Sequence, residues 1–112
     1  MSTEAAVADP IKTLELKPLV VEAICAVYDP EIPVNIYELG LIYDIVIDAA
    51  GVVHVKMTLT SPACPSAQQL PAEVVSRIKA IPGVADANVE IVWEPTWSMD
   101  QMSDAARLQL GL

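Results

Sequence analysis

The sequence predicts a small two-layer α/β sandwich, with elements in the order α-β-β-α-β-α and a three-stranded mixed sheet. Three observations carry this. Two stretches repeat apolar residues at helical spacing, three alternate them with a period of two, and 112 residues leave room for one core and no second. Residues 18–112 are read as that single domain. Residues 1–17 show no sustained period and are read as a flexible lead-in.

Pro18 suits the first turn of a helix, where a missing N–H is no loss, and Val20, Ala23, Ile24 and Val27 follow at the spacing of one apolar face. Asp29 ends it, because Pro30 disfavours helical geometry in the residue before it. DPEIPVNIYELG is then a stiffened loop. From Leu41 the period becomes two, with Leu41, Tyr43, Ile45 and Ile47 facing inward and Ile42, Asp44, Val46 and Asp48 outward. DAAG turns the chain. VVHVKMTLT returns it as an antiparallel strand with Val53, Val55, Met57 and Leu59 inward and His54, Lys56, Thr58 and Thr60 outward.

After TSPACP, the residues Ala67, Leu70, Val74, Ile78 and Ile81 keep helical spacing until Pro82 and Gly83. Pro71 lies about two turns into this helix and is expected to kink it. Ala87, Val89, Ile91 and Trp93 mark a third strand, and Ser103 caps a last short helix that runs to Gly111. Ile42, Val46 and Val92 on the outer sheet face need cover, which makes that face the expected oligomer interface.

Six Lys and Arg against fifteen Asp and Glu give a net charge of −9, which repels a phosphate backbone. No nucleic acid is expected as partner. The hydrophobic share is 54% and the mean hydropathy +0.45. LVVEAICAV is too short to cross a bilayer, so no membrane is expected, and such apolarity in a small chain points to a homo-oligomer. MSTEAAVADP lacks the marks of a signal peptide, and a cytoplasmic location is the default.

Two cysteines and one histidine make no structural zinc cluster, so each thiol is weighed alone. With Pro65 at the first helical position, Cys64 becomes the N-cap of the second helix, where the helix dipole and free N–H groups favour a thiolate. Cys64 is either that reactive thiol or simply a small capping residue. Cys25 is read as a small hydrophobe within the first helix. His54 lies six residues before Thr60, about 20 Å along a strand, too far to serve as the base for Cys64. It is read as a solvated residue beside Lys56, and no enzymatic activity is expected. Asp29 and Glu31 are the remaining polar candidates. If their loop folds over the start of the second helix, they join Cys64 as metal ligands, too few for a closed four-ligand site.

DPEIPVNIYELGLIYDI, VKMTLTSPACP, VEIVWEPTW and MSDAARLQLG, in that order, resemble the SufT-like family of iron-sulfur cluster assembly proteins, from about Pro18 onward. By that resemblance Asp29, Glu31, Thr60, Ser61, Cys64 and Pro65 line the family's site, and Leu39 and Gly40 match its LG turn. Glu38 replaces the commoner Asp, and WEPTW the commoner WDPPW. A related branch serves phenylacetyl-CoA oxygenase systems and carries a cysteine-rich C-terminal element. No cysteine follows Cys64, which favours the SufT-like branch. The resemblance implies an accessory or carrier factor of a SUF system that handles iron or a transient iron-sulfur cluster, with assembly machinery and client apoproteins as partners. The alternatives are an interaction subunit of such an oxygenase system and a thiol redox protein.

Overall fold

Asp9 and Pro10 begin the first helix, α1 (Pro10–Ile24), in a computed structural model that describes residues 7–29, 32–60 and 69–111. The Asp9 carboxylate accepts the Lys12 N–H at 2.9 Å, Pro10 fits the first turn, and the Asp9 N–H donates to the Ile47 carbonyl at 2.8 Å. The helix therefore starts two turns before Pro18, within the stretch read as a lead-in, and it places Leu16 in the core. Pro18 lies inside α1 and withholds the N–H that the Leu14 carbonyl would otherwise accept. Cys25 is the C-cap rather than a mid-helix residue.

The sheet consists of β1 (Ile42–Ile47), β2 (Val52–Met57) and β3 (Asp86–Ile91) in the order β1-β2-β3. β1 and β2 are antiparallel, whereas β2 and β3 are parallel, so the sheet is mixed as expected. Between β2 and β3 runs α2 (Leu70–Lys79), and a 3-10 turn (Met99–Gln101) leads to α3 (Asp104–Leu110). Helices α1 and α2 pack against each other and against the sheet. Leu16, Val20, Ile24, Val74 and Ile78 from the helices meet Val53, Val55 and Met57 of the central strand in one core.

Three local expectations are corrected. The pairing of β1 with β2 carries a bulge between Ile42 and Asp44, so that Ile42 opposes the buried Met57 and packs toward the core. Tyr43, expected inward, instead donates its hydroxyl to the Pro95 carbonyl at 2.7 Å. The second correction concerns α2, which begins at Leu70 with Gln69 as its N-cap; Cys64, read as that cap, lies outside the described residues. Pro71 falls in its first turn, where no intrahelical N–H is needed, and the expected kink has no cause. The third concerns the outer sheet face. Asp44, Lys56, Asn88 and Glu90 are exposed there, with Val46 and Val92 only half-exposed among them, so the apolar patch expected as an oligomer interface is not formed.

His54 is not merely solvated on that face. Its ring joins the Asp48 carboxylate at 3.0 Å to the Asn88 amide at 3.1 Å, which ties the hairpin turn to β3. Ser103 caps α3 as expected, accepting the Ala106 N–H at 3.1 Å, and Gly111 closes it in the left-handed conformation.

Candidate functional site

The described residues around Asp29 are held by an antiparallel bridge between Tyr28 and Asn35 and by side chains. The Asp29 carboxylate accepts the Ile32 N–H at 3.1 Å, and Asn35 accepts the Glu38 N–H at 2.9 Å. Between them Val34 and Ile36 turn into the core. The Ile36 N–H bonds to the Val27 carbonyl at 2.9 Å, Leu41 N–H to Ile36 at 3.1 Å, and Thr58 N–H to Leu41 at 2.8 Å. This run of backbone bonds fastens the loop that carries Asp29 to the exit of β2, where TSPACP begins.

Asp29 is buried, only 6% exposed, which is unusual for a loop carboxylate and requires polar neighbours. Thr58, expected outward, is fully buried, and its hydroxyl has no hydrogen-bond partner among the described residues. Leu59 is buried and Thr60 half-buried at the last described position before the cysteine loop. Glu31, Ser61, Cys64 and Pro65 lie outside the described residues. Among the described residues no three His, Cys, Asp or Glu side chains gather as a metal-binding group.

Leu39 and Gly40 are held by the segment that follows β3. The Leu39 side chain is buried, and its carbonyl accepts the Trp97 indole N–H at 2.8 Å. Gly40 has φ +83°, and a Cβ there would lie 2.2 Å from the Gln101 carbonyl oxygen. The Gln101 amide donates to the Tyr43 hydroxyl at 2.9 Å. Ser103 donates its hydroxyl to the Glu38 carboxylate and its N–H to the Glu38 carbonyl at 2.8 Å. From α3, Gln109 reaches the Pro33 carbonyl at 3.0 Å. The LG turn is thus a latch point. The sequence marks Ser103 as a helix cap, Glu38 as a departure from the family pattern and WEPTW as a family segment, but not their meeting at this turn, because nothing in a linear pattern pairs positions so far apart.

Cys25, the free thiol among the described residues, is half-buried. Burial, reinforced by the negative charges of Glu38 and Glu22, pushes its pKa up, so it stays a thiol at neutral pH and is a poor nucleophile.

A family model described as iron-sulfur cluster assembly protein matches residues 18–91. The chain belongs to that family. Within it, the chain is 45% identical over 92 residues to an Fe-S protein maturation auxiliary factor of Porphyromonas gingivalis, covering 82% of this chain and 88% of the relative. It is 43% identical over 86 residues to the Fe-S protein maturation auxiliary factor SufT of Staphylococcus aureus, covering 77% and 98%. The crystal structure of a domain of unknown function from Bacillus anthracis superposes with a TM-score of 0.84 at 33% identity, covering 93% of this chain and 99% of that one. The family includes proteins with this fold, and the SufT-like resemblance read from the four sequence segments holds.

Proposed function

We propose that this protein is a non-enzymatic auxiliary factor in the maturation of iron-sulfur proteins. It takes iron or a cluster transiently as cargo and passes it to client apoproteins within a SUF-type system in the cytoplasm, acting as a homodimer. The observation that carries the proposal is the family match across residues 18–91, together with relatives at 43 to 45% identity named as maturation auxiliary factors. Cys64 is the proposed cargo contact, with Asp29 and Glu31 as further ligands and with Thr60, Ser61, Pro65, Leu39 and Gly40 framing them. Two features support this placement. A buried carboxylate belongs to a loop bonded to the β2 exit, and a buried hydroxyl at Thr58 stands at the start of the cysteine loop.

Anaerobic reconstitution with iron and sulfide tests the proposal. Wild type is expected to bind iron and develop visible absorbance, and Cys64→Ser to lose both. Equal, iron-free spectra for the two would end the cargo role of Cys64.

A further inference from the structure

One face of α1 is uncovered by any described element. Ile11 and Leu14 are 68% and 80% exposed, Pro18 is exposed, and Val21 and the C-cap Cys25 are half-buried. These five residues succeed one another at intervals of three, four, three and four. That is the spacing of a coiled-coil seam, with Ile11, Pro18 and Cys25 at a positions and Leu14 and Val21 at d. Beside Pro18 lies a shallow, open and largely apolar groove lined by Thr13, Leu14, Lys17, Pro18 and Val21.

We propose that a second copy of this chain covers the seam, with α1 packing parallel to the partner's α1 about a two-fold axis that runs along the helices. This rests on the homodimer reading above and names its surface. The flanking charges select both the occupant and its direction. Lys17 falls at a g position and Glu22 at the e position five residues on, and both are exposed. In a parallel pair a g residue faces the e residue five ahead on the other helix, so the symmetry creates two Lys17 to Glu22 contacts. An antiparallel pair sets g beside g and e beside e, which crowds lysine against lysine and Glu15 and Glu22 against their own kind. A client lacking this charge order gains no such match. The seam spans barely two heptads, so the pair forms reversibly, with a dissociation constant on the order of micromolar.

Light scattering and sedimentation of the full chain across a concentration series test the proposal. Wild type is expected to rise from 12.0 kDa toward twice that mass. Leu14→Asp, at a position outside the core, is expected to raise the dissociation constant by at least about tenfold, with a melting curve like that of wild type at concentrations where both are monomeric. Lys17→Glu and Glu22→Lys are each expected to weaken the dimer, and the double exchange to restore it. A wild type that stays monomeric throughout overturns both the seam and the homodimer and assigns the face to another protein. A dimer indifferent to Leu14→Asp overturns the seam alone. A dimer weakened by Leu14→Asp that the double exchange fails to restore overturns the parallel arrangement. None of these results bears on iron binding by Cys64, so the cargo proposal stands or falls separately.

Discussion

Gly40 and Gln101 meet backbone to backbone, so closely that a single added carbon on Gly40 would sit 2.2 Å from the Gln101 carbonyl oxygen. The LG turn needs its glycine for two reasons at once: a positive φ and the absence of a side chain. Gly40→Ala is expected to cost about 3 kcal/mol or more, because backbone and not a flexible side chain must yield. Gly111 has a similar φ of +78° but nothing within 4 Å of a built Cβ, so Gly111→Ala is expected to cost only about 1 kcal/mol. Urea unfolding of the two variants separates the steric cost from the conformational one. Equal losses would show that the close approach contributes nothing.

Asp48 makes stability depend on pH in the acid range. The hydrogen bond from His54, aided by the backbone N–H groups of Val52 and Ala50, holds its carboxyl below the usual carboxylate range, against a smaller opposing effect of burial. A depressed folded-state pKa means that the unfolded chain binds the proton first. The contribution is then fully present above the unfolded value of about 4 and is lost as pH falls through the lower folded value. Denaturation curves from about pH 6 down to about pH 2 are expected to show a shallower acid loss in Asp48→Asn than in wild type. Parallel curves would remove Asp48 from the acid response.

The two helical prolines should behave oppositely. Pro18 sits within α1 and deprives the Leu14 carbonyl of its partner, whereas Pro71 occupies the first turn of α2. Under dilute conditions Pro18→Ala is expected to raise stability by about 1 to 3 kcal/mol, and Pro71→Ala to change it by less than about 1 kcal/mol. Thermal melts of both decide it. A stabilised Pro71→Ala with an unchanged Pro18→Ala would reverse the assignment of strain.

Much of this fold is legible where pattern and packing agree. β2 alternates cleanly, and Val53, Val55, Met57 and Leu59 are all buried as read. β1 misleads because both of its faces are apolar at the start. Leu41, Tyr43 and Ile45 form a sound alternation, and only the pairing with Met57 reveals the bulge that turns Ile42 inward. In α1 and α2 a proline could mark the start at two places. Asp9–Pro10 offers a capping carboxylate that Lys17–Pro18 lacks, and setting Pro71 in a first turn avoids the kink that a start at Pro65 demands. Of the site, the loop position of Asp29 was readable but its burial was not, since burial depends on Val34 and Ile36 turning inward beside it. The buried hydroxyl of Thr58 contradicts its place in the alternation, and the Glu38 to Ser103 pair has no local signal at all.

The latch on the LG turn also orders events during synthesis. Leu39 waits for Trp97, 58 residues later, and Glu38 for Ser103, 65 residues later. A ribosome extends a chain at roughly 5 to 20 residues per second, so those partners are absent for several seconds after the DPE loop emerges. The loop that bears Asp29 thus reaches its final shape only after residue 103 has been made, so the turn at Leu39 and Gly40 closes only when the cap of α3 joins it.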